Sequence, residues 1–163
     1  MDDIIITNRQ PQPFAAYILR LHQPEIADKA PQLIGDVIAW VSAHGGETTG
    51  APFFNYVNFF PDGSMEMQVG MPTATVMAGD DAVTTGTLPG GRYASLVHEG
   101  PYHTLHQANM TLDQWARSMG HRLDGMVDGD RFVGATRMEI YLTDPDQNPS
   151  GQPVTEVAFR LAD

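Results

Sequence analysis

Apolar positions in this chain switch between period two and a period of three to four, so strands and helices can be placed from the pattern alone. Extended segments are predicted over residues 4–7 and 14–21, the second preceded by the edge-type prolines Pro11 and Pro13. Ile26, Leu33, Ile34, Val37, Ile38 and Val41 then recur at helical spacing; Pro31 marks either a first turn or a kink, and Gly45-Gly46 is a natural stop. Alternation returns over 52–60, turns at Pro61-Asp62-Gly63, and runs back from Met65 to Met71 with Met65, Met67 and Met71 on one face. A mixed segment over 73–86 and the turn Leu88-Pro89-Gly90-Gly91 lead to a strand over 92–98. A helix over about 102–119 follows, striped by Leu105, Ala108, Leu112, Trp115 and Met119 and ended by Gly120. After a Gly/Asp-rich loop over 124–130 come a strand over 136–143, a loop over 144–153 and a last strand over 154–161.

Strand, helix, strand, strand thus occurs twice. Trp40 lies five residues before Gly45 and Trp115 five before Gly120, and Tyr56 and Tyr141 occupy the strands that follow. Aligning Phe53-Phe54-Asn55-Tyr56 with Met138-Glu139-Ile140-Tyr141 sets Phe54 opposite Glu139 across the duplication. The expected fold is α+β, with tandem strand-helix-strand-strand modules over about 1–72 and 73–163. Pseudo-twofold symmetry would relate them, with one antiparallel sheet carrying both main helices on one face. The crevice between two such modules is a natural place for a small-molecule site.

One strand carries a residue that breaks its pattern. In Met138-Glu139-Ile140-Tyr141-Leu142, Glu139 and Tyr141 share a face, the other three share the opposite one, and both faces read as buried. A carboxylate there is costly unless a positive or hydrogen-bonding group meets it. Pairing with Arg137, Arg92 or Arg131, exposure on a one-sided strand, and contact with a ligand are all consistent with the pattern.

Composition narrows the classes. A chain of 163 residues with 42% hydrophobic residues supports one well-buried core. Twenty acidic against nine basic side chains, a net charge of -11, disfavour direct binding to nucleic acid or an anionic membrane surface and would only steer cations. With no cysteine, disulfides, thiolate metal sites and a cysteine nucleophile are excluded. The start Met1-Asp2-Asp3-Ile4-Ile5-Ile6-Thr7 lacks a basic region, and its apolar run is too short for a signal peptide or membrane span, so cytoplasmic residence is expected. His98, His103 and His106 invite a metal reading, but no carboxylate stands at a third-ligand spacing, and the expectation is no metal and no cofactor. Leu88-Pro89-Gly90-Gly91 joins extended segments and lacks the helix start that a phosphate cradle needs.

Several of these residues together carry a family resemblance. Gly91-Arg92-Tyr93-Ala94, His98-Glu99-Gly100-Pro101-Tyr102, the helix bearing Trp115, the run Glu139-Ile140-Tyr141-Leu142-Thr143-Asp144-Pro145 and Thr155-Glu156-Val157 keep order and spacing. This set resembles the GyrI-like small-molecule-binding domain family over nearly the whole chain, and most closely in its second half. Members are effector domains of multidrug-responsive transcription activators or stand-alone proteins built of two such modules. The chain departs from the pattern at Phe159-Arg160-Leu161, where an apolar-proline ending is usual, and in the weight of methionine in its fourth strand.

The resemblance implies a pocket glutamate at Glu139 that meets lipophilic cations, with Tyr141 in the same motif, Tyr56 in the first module and Trp115 on the second helix. Phe54, Met67 and Tyr102 complete the expected ligand-binding set, although a methionine row is more often core, and Phe59 and Phe60 are expected to serve packing. The expected partner is a hydrophobic, often cationic, small molecule captured by a stand-alone domain, because this length leaves no room for an attached helix-turn-helix reader. Some family members are instead hydrolases of cyclopropane-bearing alkylating compounds, which would make Glu139 a general base assisted by Tyr141 or Tyr56. A gyrase-inhibitor-like protein-interaction module is the third expectation.

Overall fold

The computed structural model describes residues 3–162. Its elements, in chain order, are strands β1 (Ile5–Arg9) and β2 (Gln12–Leu21), the short helix α1 (Ile26–Lys29), helix α2 (Pro31–Ala43), strands β3 (Phe53–Phe59), β4 (Met65–Pro72), β5 (Thr84–Leu88) and β6 (Gly91–Glu99), helix α3 (Leu105–Ser118), and strands β7 (Met126–Asp128), β8 (Arg131–Val133), β9 (Arg137–Thr143) and β10 (Val154–Arg160). Pro31 occupies the first turn of α2, where its missing N–H has no helical acceptor to lose. Both long helices end at a glycine in the left-handed region, Gly45 at φ 76° and Gly120 at φ 79°. The next amide in each case, Gly46 or His121, then bonds back to Val41 or Ala116.

The sheet runs β1-β6-β10-β9-β3-β4-β2-β5, with each neighbouring pair antiparallel. The set β6-β10-β9 mirrors β2-β4-β3 about a central β9/β3 seam. The edge strands are exchanged: β1 pairs with β6, and β5 pairs with β2. Each edge therefore borrows its last strand from the other half of the chain, which ties the halves together. Helix α2 packs on β2 and β4, and α3 on β6 and β10.

Side-chain alternation divides the core into two layers. On the helix side, Val37, Trp40 and Val41 of α2 pack with Ala15 and Met71, and Leu105, Ala108 and Leu112 of α3 pack with Ala94, Leu96, Val157 and Phe159. On the other side the sheet curls onto itself, so that Phe14 and Leu88 meet Tyr93, Met138 and Ala158. This second layer explains why β9 is apolar on the face away from Glu139. Two segments differ from expectation: the mixed segment over 73–86 ends in strand β5, and the Gly/Asp-rich loop after α3 opens the β7-β8 hairpin, which joins the sheet where Phe132 pairs with Phe59. The hairpin's three-residue strands are too short to show a period.

Candidate functional site

The seam and the two helices leave an open cavity of about 1130 Å³. Its floor comes from β3 and β9, whose inward side chains are Phe54 and Tyr56 on one strand and Arg137, Glu139 and Tyr141 on the other. Ile34 and Ile38 of α2 form one wall, and His106, Asn109, Met110 and Asp113 of α3 form the opposite one. This volume suits a drug-sized molecule.

Glu139 lies 7% exposed on that floor, directly across from Phe54 on one side and Val157 on the other. Its Oε1 accepts hydrogen bonds from Tyr56 Oη and Tyr141 Oη, both at 2.8 Å, and its Oε2 accepts one from Asn109 Nδ2, also at 2.8 Å. The second hydrogen of the Asn109 amide goes to the Leu105 carbonyl at 2.8 Å, which fixes the amide's orientation. Hydrogen bonds to a charged group contribute about 1.5–3 kcal/mol each, so three of them offset much of the desolvation cost. All three donors are neutral. Among the described residues no salt bridge reaches Glu139; Arg137 lies instead toward Asp113, with Nη1 3.9 Å from Oδ1.

Burial, and next the charge of Glu139, push the hydroxyls of Tyr56 and Tyr141 well above the ordinary phenol range. Both therefore stay protonated as donors throughout the neutral range. The rings around the carboxylate are fixed by edge contacts. Phe54 meets Tyr141 at 4.9 Å and 75°, and Tyr141 meets Tyr102 at 5.9 Å and 80°. Tyr102 is 48% exposed and stands at the rim.

Five of the seven expected ligand-binding residues, Phe54, Tyr56, Tyr102, Glu139 and Tyr141, thus line one cavity. Two do not. Met67 shares their strand face but is fully buried among Leu21, Ile26, Ala30 and Val69, beneath α1. Trp115 is on the flank of α3, half-buried against the Leu96 and Val157 cluster, with its ring stacked on His121. The floor also includes Phe59, expected only as packing, and its neighbour Arg137. Sequence reasoning did not find Asn109, although it stands one helical turn after Leu105 and three residues before Leu112 on the buried stripe, where an amide needs a partner.

Fold and site together define a two-module α+β domain for binding small molecules. The family model for the GyrI-like small molecule binding domain matches residues 2–162, and the chain belongs to that family. No curated protein matches the sequence. Among solved structures the chain is similar to the C-terminal domain of EcmrR, with a TM-score of 0.78 at 15% identity, covering 100% of this chain and 99% of that one. Against EcmrR in its DNA complex the TM-score is 0.77 at 15% identity; 98% of this chain is covered, and it spans 57% of that chain. It is also similar to SAV2435 bound to tetraphenylphosphonium, with a TM-score of 0.65, 14% identity and coverage of 98% and 93%. A hydrolase from Listeria innocua gives 0.55 at 13% identity, with coverage of 98% and 91%.

Proposed function

We propose that this protein captures hydrophobic organic cations in the cavity between α2 and α3, with Glu139 as the anion they meet. The observation that carries the reading is the set of partners around Glu139. Three neutral donors hold the carboxylate in place, no protein cation among the described residues pairs with it, and aromatic rings stand beside it. A diffuse cation entering such a site sheds little hydration, gains a desolvated counter-charge, and gains about 0.5–2 kcal/mol for each good ring contact. Tetraphenylphosphonium, the compound bound in the SAV2435 structure, is a cation of this kind. The aliphatic wall of Ile34, Ile38 and Met110 favours varied shapes over one, which suits multidrug binding.

The test is calorimetric titration with tetraphenylphosphonium and with neutral triphenylphosphine oxide. Glu139→Gln should weaken the cation by about 30-fold or more, as expected for loss of a buried charge pair, and the neutral compound far less. An equal effect on both would overturn the reading.

A second reading is hydrolysis of a reactive electrophile in the same cavity, favoured by the open side of the carboxylate: Oε2 accepts only from Asn109 among the described residues. That oxygen would take a proton from water while Tyr56 and Tyr141 hold Oε1. Turnover of a cyclopropanoid substrate that is lost in Glu139→Gln supports this reading; stoichiometric binding without turnover supports capture.

A further inference from the structure

Two residues before Glu139 on the same strand, and on the same face, stands a partly buried cation. The Arg137 guanidinium sits over the rings of Phe59, Phe132 and Phe159, at 5.6, 5.2 and 5.5 Å from their centroids. Its nearest carboxylate among the described residues, Asp113, is shared: Arg117 Nε donates to Asp113 Oδ2 at 2.9 Å, leaving Arg137 Nη1 3.9 Å from Oδ1, while the next carboxylate, Asp124, is paired with Arg160. Arg137 Nε and Asp113 Oδ1 are both buried without a hydrogen-bond partner. On the lining two guanidiniums stand to one carboxylate, and behind them Arg160 balances Asp124, so this end of the cavity carries a net positive charge. Glu139, with Asp144 also on the lining, makes the other end negative.

We propose that the cavity is bipolar and that Arg137 sets its specificity, favouring amphoteric aromatic molecules that place a cationic group at Glu139 and a carboxylate or strong acceptor at Arg137. The inference rests on the cation reading of Glu139 and adds the chemistry of the opposite end. Three features support it. Alternate residues of a strand lie about 7 Å apart, so one aromatic scaffold spans both groups. A partly buried guanidinium whose nearest carboxylate oxygen is 3.9 Å away gains most from a charged acceptor, which its planar donors can meet. Its three-ring cage holds the guanidinium in place, so little rotamer freedom is lost when that acceptor arrives. A dication, by contrast, brings its second charge toward Arg137 and Arg117.

The experiment compares rhodamine B, zwitterionic through its free carboxylate, with rhodamine B methyl ester, a monocation on the same xanthene core. Fluorescence anisotropy gives both dissociation constants for the wild-type protein, Arg137→Met, Arg137→Lys and Glu139→Gln. Wild type should bind the acid at least as tightly as the ester. Arg137→Met should shift the ratio of the two constants about tenfold toward the ester, with Arg137→Lys in between, because an ammonium keeps the charge but loses the planar fork. A wild-type protein that prefers the ester by about tenfold, or a ratio unchanged in Arg137→Met, overturns the bipolar site. The wild-type comparison needs no variant and so decides even if Arg137→Met does not fold. Failure of the underlying cation reading looks different: Glu139→Gln then leaves the affinity of the ester unchanged.

Discussion

Phe54 and Glu139 stand directly opposite each other across the β3-β9 seam. Flanking pairs Phe53 with Ile140 and Asn55 with Met138 keep the same register, so the twofold relation between the halves passes between Phe54 and Glu139. Equivalent positions of the repeat therefore carry a ring on one side and a carboxylate on the other. The fold is symmetric here and the chemistry is not. A single polar substitution in one copy is enough to turn a packed seam into a charged site with an aromatic neighbour.

The ring at this position should contribute to affinity as well as to packing. Phe54→Leu keeps most of the volume but removes the edge contact with Tyr141 at 4.9 Å. Loss of about 0.5–1.5 kcal/mol of aromatic interaction between the Phe54 ring and the ligand's phenyl groups should weaken tetraphenylphosphonium about three- to tenfold, with a smaller effect on the aliphatic cation tetrabutylammonium. Calorimetry on the two ligands checks the difference, and equal losses would show that Phe54 acts through packing alone.

Asn109 should matter more to stability than a half-buried amide ordinarily does. Asn109→Ala leaves Glu139 Oε2 without its donor, whereas the Leu105 carbonyl keeps the backbone amide of residue 109. An orphaned acceptor costs about 1–3 kcal/mol, so urea denaturation should show a loss in that range, and saturating tetraphenylphosphonium should recover part of it. A variant as stable as wild type would mean that water replaces the amide without penalty.

The alternation that placed Glu139 and Tyr141 on one face also placed Phe54 and Tyr56, because period two fixes which side of a sheet a residue occupies. It does not fix depth. Met65 and Met67 share a face of β4, yet Met65 lines the cavity and Met67 is sealed under α1, a difference set by where the helix ends rather than by the strand's own pattern. Helix α3 shows the same limit in angular form: Leu105, Leu112 and Trp115 belong to one broad stripe, but the cavity edge is on the side of Asn109 and Asp113, away from Trp115. The exchange of β1 and β5 was not legible because pairing between distant edges depends on the curl of the whole sheet, which no local period encodes.

The placements of Met67 and Trp115 can be tested by separating stability from binding. Met67→Ala opens a void in a fully buried cluster and should cost about 2–5 kcal/mol, measured by thermal or urea unfolding. Affinity for tetraphenylphosphonium in the folded fraction should stay within about twofold. Trp115→Phe should likewise spare affinity. A large drop in binding for either variant, with the fold intact, would place that side chain against the ligand.

Away from the cavity, Asp80 fastens the segment before β5 to helix α2. Its Oδ2 accepts from Trp40 Nε1 at 2.8 Å, and its Oδ1 accepts the amides of Ala82 and Val83 at 2.9 and 2.8 Å. The Trp40 bond first, and then the two amides, hold the Asp80 carboxyl below its ordinary value of 3.8. A carboxyl with a lowered folded-state value stabilises the fold fully above its unfolded value, and that contribution is lost as pH falls through the folded one. Asp80→Ala should therefore lower the urea midpoint at neutral pH, and the gap from wild type should stay constant down to about pH 5. Below the ordinary carboxyl value it should narrow, because protonation removes from the wild type the charge that the variant lacks. Urea titrations at stepped pH measure this directly; a gap that widens with acid would reverse the sign and show that the carboxyl is strained rather than held.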